Sequence, residues 1–180
     1  MVTIVIDGKK LKAKDEDTIL DVARDNNIYI PTLCVNDALE PYGACRLCVV
    51  EISRKGRIKL VASCLYPVQE GLEVKTDSDR IRNVRQMIME LLLARCPQDK
   101  EVRALAEKLG VTRTRFKIED EENHCVLCAM CTRVCKEVVG RSAISLVNRG
   151  TKREVAMPFY DNTDACIACG SCAYICPTSA

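Results

Sequence analysis

The sequence predicts an α+β chain in three parts. A small mixed sheet packed on one helix spans residues 1–77, a helical bridge spans 78–122, and a cysteine-rich domain spans 123–180. Three observations carry this reading. Short β-rich runs punctuated by turn residues fill the first part. An apolar repeat at helical spacing takes over near Asp79. Finally, the pattern Cys125-x2-Cys128-x2-Cys131-x3-Cys135 returns as Cys166-x2-Cys169-x2-Cys172-x3-Cys176-Pro177.

Residues 2–6 and 9–14 read as strands joined by Asp7-Gly8, a strong hairpin signal. Residues 18–24 read as a helix capped by Asp17 or Thr18, with Ile19, Leu20, Val22 and Ala23 available to the core. Ile28-Tyr29-Ile30 leads to Pro31 and a cysteine-bearing loop. Residues 48–52 and 58–62 form a second expected hairpin around 53–57, and residues 72–76 a final strand. In the bridge, Asp79 is expected to cap a helix reaching about Arg95, with Ile81, Val84, Ile88, Leu91 and Leu92 at helical spacing. Arg80, Arg82 and Arg85 read as its solvated face. Pro97 stops that helix, and residues 100–109 read as a second one closed by Gly110. The acidic run Glu119-Asp120-Glu121-Glu122 reads as a solvated joint.

Cysteine dominates the chemistry, with 13 copies against one histidine and no tryptophan. A disulfide framework would imply a secreted chain. The N-terminus, however, reads as a strand and lacks a basic region followed by an apolar run, so a cytoplasmic location is expected. Near neighbours in sequence seldom pair as disulfides, and the x2 spacings suit metal. The run C-x2-C-x2-C-x3-C is the ligand spacing of a [4Fe–4S] cluster, and in two-cluster ferredoxins the fourth cysteine of each run serves the other cluster. One cluster is therefore assigned to Cys125, Cys128, Cys131 and Cys176, and the other to Cys166, Cys169, Cys172 and Cys135.

Four further cysteines stand as Cys34-x10-Cys45-x2-Cys48-x15-Cys64. Plant-type [2Fe–2S] proteins use C-x4-C-x2-C and a distant fourth cysteine. The first gap is longer here, but the order is the same. Gly43 and Ala44 let the backbone close over an inorganic sulfide and leave amides free to donate to it. Zinc is the chemical rival. One C-x2-C pair rather than two favours [2Fe–2S].

Charge narrows the function classes. With 27 basic and 25 acidic residues the net charge is +2, so no bulk field points to nucleic acid or an anionic membrane. The longest apolar stretch, residues 87–94, is broken by Glu90 and falls far short of the ~20 residues that span a bilayer. Direct membrane insertion is not expected.

The phrases Ile30-Pro31-Thr32-Leu33-Cys34 and Gly43-Ala44-Cys45-Arg46-Leu47-Cys48-Val49-Val50-Glu51 carry a resemblance. They are similar to an N-terminal [2Fe–2S] domain found in three groups: the large iron–sulfur subunit of complex I, the diaphorase small subunit of NAD-linked hydrogenases, and the N-terminal region of [FeFe]-hydrogenases. The resemblance implies a β-grasp [2Fe–2S] ferredoxin-like domain, a short helical bridge and a two-[4Fe–4S] bacterial-ferredoxin-like domain. It also implies a further bridge cluster held by an H-x3-C-x2-C-x5-C run, which this chain lacks. Its bridge holds only Cys96, and its one histidine is His124. Cys96 is expected to be a buried small apolar residue. His124 reads as structural, with a hydrogen bond to a cluster sulfide as the alternative. Complex I subunits and [FeFe]-hydrogenases continue well past the point matching Ala180, so no catalytic site is expected here.

Twelve of the 13 cysteines are thus assigned to one [2Fe–2S] and two [4Fe–4S] clusters. The expectation is an electron-transfer subunit of a multisubunit NAD(P)H-linked oxidoreductase. The resemblance implies a flavin- and NAD(P)H-binding subunit on one side and a hydrogenase or molybdenum- or tungsten-dependent catalytic subunit on the other. The alternative is a free ferredoxin-like carrier, which would favour a strongly acidic surface. A cluster-based sensor would need an output module, and no nucleic-acid-reading element is evident. Succinate dehydrogenase-type iron–sulfur subunits have a much shorter first gap.

Overall fold

Alternation builds the first strand. In β1 (Val2–Ile6), Ile4 and Ile6 are fully buried and their neighbours are not, as a two-residue period requires. Asp7 and Gly8 follow with φ of 48° and 81°, the paired left-handed conformation of a tight two-residue hairpin. The chain returns as β2 (Lys9–Ala13). Thr18 caps α1 (Ile19–Asp25). Its hydroxyl accepts from the Asp21 amide, and the Asp21 carboxylate accepts from the Thr18 amide at 2.9 Å. Of the two expected caps, Thr18 is the one used. Ile19, Leu20, Val22 and Ala23 are all buried.

The computed structural model describes residues 1–54, 56–161 and 163–180. Lys55, inside the second expected turn, lies outside the described residues. Contacts divide the chain into two units: Met1–Thr32 with Arg46–Ile88, and Leu33–Cys45 with Met89–Ala180.

The first unit is a five-stranded mixed sheet in the order β2-β1-β5-β3-β4, where β3 is Val49–Arg54, β4 is Arg57–Ala62 and β5 is Glu73–Lys75. Among the described residues of this sheet only the β1–β5 pairing is parallel. Val50, Ile52, Leu72 and Val74 join Ile4 and Ile6 in the core. Asp7 also fixes the far end of β5: its carboxylate accepts from the Thr76 amide (2.8 Å) and hydroxyl (2.6 Å).

Helix α2 (Asp79–Arg95) supplies residues to both units. Its cap is Ser78 rather than Asp79, since the Ser78 hydroxyl accepts from the Ile81 amide at 3.3 Å. Its buried stripe also has a different phase from the one expected. Ile81, Arg85, Met89, Leu93 and Cys96 are buried, while Leu91 is half exposed. Arg80 and Arg82 do face solvent. Arg85 does not, because its stem packs inward and its guanidinium finds backbone carbonyls.

The second unit holds α3 (Lys100–Lys108), capped by the Asp99 carboxylate on the Val102 amide. It continues with α4 (Met130–Glu137), the β6–β7 hairpin (Ser145–Val147 and Glu154–Ala156) and α5 (Ser171–Tyr174). The run 119–122 is exposed.

Candidate functional site

The two repeated cysteine runs fold alike. Leu127 and Ala129 flank Cys128 with φ of 54° and 63°, and the equivalent Ala168 and Gly170 flank Cys169 with 54° and 73°. Left-handed backbone costs a residue with a side chain about 1–2 kcal/mol. It also turns successive amides toward one side, forming a concavity that favours an anionic ligand. Ala129 and Gly170 then start α4 and α5, which place Cys131 and Cys172 in their first turns.

Within the second unit Cys176 lies near the first run and Cys135 near the second. Burial pushes the Cys131 thiol up to about 11, and the nearby charges of Cys128, Cys125 and Cys176 add to the shift. Cys128 is likewise raised by burial, then by Cys176, Cys125 and Cys34. Burial also acts upward on Cys176, but donors from Thr178, Ser179 and Ala180 outweigh it, and its net direction is down. Cys135 lies elsewhere. It lines a cavity of about 280 Å³ together with Cys166, Cys169 and Cys172, walled by Val139, Ile144, Met157 and Ile167. The Ala143 amide donates to Cys135 Sγ at 3.3 Å. Cys169 is lowered by the hydroxyl and amide of Ser171, whose Oγ lies 3.4 Å away. Thiolate donors, inward amides and apolar walls together fit an anionic cluster.

The earlier cysteines form two pairs. In the first unit, Cys48 and Cys64 Sγ lie 3.3 Å apart. Donation from Cys64 brings the Cys48 thiol down to about 6 against the effect of burial, with help from Ser63 and the Arg46 charge. Arg46, between Cys45 and Cys48, has φ 60°. In the second unit, the Cys45 amide donates to Cys34 Sγ at 3.4 Å. A buried apolar cluster joins Cys34 and Leu39 to Cys128, Met130 and Val134.

The loop carrying Cys34 and Cys45 is fastened to α4 by polar contacts the sequence reading did not foresee. Arg133 donates from Nη2 to the Glu40 carbonyl and from Nε to Glu137 Oε1 at 3.2 Å. Glu137 Oε2 accepts from the Glu40 amide at 3.0 Å. The guanidinium also lies over the Tyr42 ring, 5.3 Å from its centre. In the first unit, Arg85 Nε donates to the Leu47 carbonyl at 3.1 Å and Nη2 to the Val49 carbonyl at 2.8 Å, on either side of Cys48. One sequence signal could have found Arg85: it sits four residues from both Ile81 and Met89, on the apolar stripe.

Cys96 is fully buried, and burial pushes its thiol up to about 12. Asn123 Nδ2 donates to its sulfur at 3.3 Å and to the Arg95 carbonyl at 2.7 Å. His124 Nδ1 lies 3.3 Å from Asp99 Oδ2. Among the described residues no helix is long and apolar enough to cross a membrane.

Comparison with known proteins matches both ends of the chain. Residues 1–79 match the family model of a 2Fe-2S iron-sulfur cluster binding domain, which decides against zinc, and residues 124–180 match that of a 4Fe-4S dicluster domain. The NADPH-Fe(3+) oxidoreductase subunit alpha of Geobacter sulfurreducens is 37% identical over 99% of this chain. The NADP-reducing hydrogenase subunit HndD of Solidesulfovibrio fructosivorans is 36% identical over 100% of it. The chain spans only 24% and 36% of those two relatives. A chain in the crystal structure of NAD+-reducing [NiFe]-hydrogenase in the H2-reduced state superposes with a TM-score of 0.84 at 29% identity, covering 99% of this chain and 86% of that one. The expected modules are therefore present in the expected order. The chain carries a 2Fe-2S cluster binding domain followed by a 4Fe-4S dicluster domain, and over its whole length it resembles the iron–sulfur subunits of NAD(P)H-linked hydrogenases and oxidoreductases.

Proposed function

We propose that the chain is an electron-relay subunit holding three clusters in domains 1–77 and 123–180, joined by the bridge 78–122. Cys34, Cys45, Cys48 and Cys64 hold one [2Fe–2S] cluster. Cys125, Cys128, Cys131 and Cys176 hold one [4Fe–4S] cluster, and Cys166, Cys169, Cys172 and Cys135 hold the second. When bound, such clusters supply one-electron exchange at potentials set by charge, hydrogen bonds to sulfur and exposure.

The observation that carries the reading is the exchanged fourth cysteine. Cys176 contributes to the field at Cys131 and Cys128, while Cys135 shares its cavity with Cys166, Cys169 and Cys172. The chain's own residues hold the thiolates and donate amides to sulfur. Cys34 and Cys128 belong to one buried apolar cluster, which supports direct passage between the N-terminal cluster and the nearer cubane.

The relatives named above act with NADPH, NADP or NAD+. We therefore assign a flavin- and NAD(P)H-binding subunit as one neighbour and a hydrogenase or molybdenum- or tungsten-type catalytic subunit as the other, in the cytoplasm. Anaerobic purification from native cells should give a complex in which NAD(P)H bleaches the cluster absorbance, whereas the chain alone should not respond to NAD(P)H. Recovery from those cells as a stable, partner-free monomer would instead establish a free carrier.

A further inference from the structure

Arg85 is a cation where the fold least tolerates one. It is 7% exposed, and burial pulls its pKa down from the ordinary guanidinium value, opposed by the charges of Asp77, Cys48 and Tyr29. A guanidinium nevertheless stays protonated in proteins. Among the described residues no carboxylate lies within ion-pairing distance of it. Asp77, the carboxylate whose field it feels, is engaged with Arg82 at 2.5 and 2.9 Å. Arg85 instead spends two N–H groups on the carbonyls of Leu47 and Val49, which bracket Cys48. A buried charge that is hydrogen-bonded but not neutralised keeps its full field in a medium that screens it poorly.

We infer that Arg85 is a positioning and potential-setting residue for the cluster that Cys48 ligates. The inference rests on the ligand assignment proposed above. Two effects follow from one side chain. Its fork holds the carbonyls on both sides of Cys48, and because each peptide is planar and trans, this also fixes the direction of the Cys48 amide. Its charge acts on the electron count. One electron entering a four-thiolate [2Fe–2S] cluster makes it one unit more negative, with no proton required. A nearby fixed cation stabilises that reduced form more than the oxidised form, so the reduction potential rises. The sequence reading missed this, because an arginine that follows Arg80 and Arg82 on one helix reads as solvent-facing, and its place on the Ile81–Met89 stripe was the one signal against it.

The test uses the anaerobically purified holoprotein with redox mediators, and follows the EPR signal of the reduced [2Fe–2S] cluster against applied potential. Arg85→Met and Arg85→Gln remove the charge, and the glutamine keeps a donor. Arg85→Lys keeps the charge and loses the fork. The N-terminal cluster should become harder to reduce in both neutral variants, with its potential moving negative. It should return most of the way in the lysine variant, and the potentials of the two cubanes should stay in place. If the neutral variants lose the cluster while the lysine variant retains it, the charge is needed to hold an anionic group, which also supports the inference. Loaded neutral variants with wild-type potential would overturn it, as would loss of the cluster from all three. A wild-type protein lacking the [2Fe–2S] signal would instead overturn the ligand assignment, so the two failures are distinguishable.

Discussion

Cys96 is the cysteine that neither ligand spacing uses. It is fully buried, its thiol is pushed up to about 12, and its sulfur accepts a side-chain amide from Asn123. Left unligated, this group stays a neutral thiol across the physiological range. Cys96→Ala should leave the iron content unchanged and cost about 1–2 kcal/mol from the lost sulfur contacts. The pH dependence has a definite sign. The unfolded thiol ionises near its ordinary value of 9.0, whereas the folded one resists to about 12, so its stabilising share holds below about pH 9 and falls away above it. Urea midpoints at about pH 8 and 10 should therefore drop more for wild type than for Cys96→Ala. A loss of several irons in the alanine variant would make Cys96 a ligand instead. At this scale the two cluster-binding domains were legible because cysteine spacing is a local property of the chain. Arg85 and Arg133 were not, since their hydrogen-bond partners lie 36–38 and 93 residues away in sequence and an arginine in isolation reads as surface.

The elements of the sheet were legible to within a residue or two, because alternating burial and the Asp7-Gly8 turn are written locally. The same holds for α1, where Thr18 and Asp21 form a reciprocal cap. The phase of α2 was not legible. Its apolar residues are numerous enough to support two stripes, and tertiary contact selected the one through Arg85. The loop 33–45 shows the limit more clearly. Nothing within it announces that Glu40 will be gripped from both sides by α4, through Arg133 and Glu137. Arg133→Met should leave Glu137 without its cation and free the loop, at a cost of about 2 kcal/mol. Amide hydrogen exchange across residues 36–42 should speed up more than in β1 or β3. Unchanged exchange there, with normal folding elsewhere, would show that the apolar contacts of Leu39 suffice.

At the scale of the whole molecule, two cysteine-rich modules flank a bridge that lacks the usual histidine-and-cysteine ligand run. The fold matches that of a chain in an NAD+-reducing [NiFe]-hydrogenase at a TM-score of 0.84, and the sequence here carries the modules on either side of the bridge without that motif. The three-cluster reading proposed above requires the N-terminal and C-terminal modules to exchange electrons without an intermediate cluster in the bridge. That Cys34 and Cys128 belong to one buried apolar cluster is consistent with this. The most direct measurement is iron and acid-labile sulfide per chain on anaerobically purified, fully loaded protein. The account requires about ten irons and about ten sulfides. A value near fourteen irons would mean that the bridge carries a cluster after all, and a value near eight would remove the N-terminal cluster from the relay.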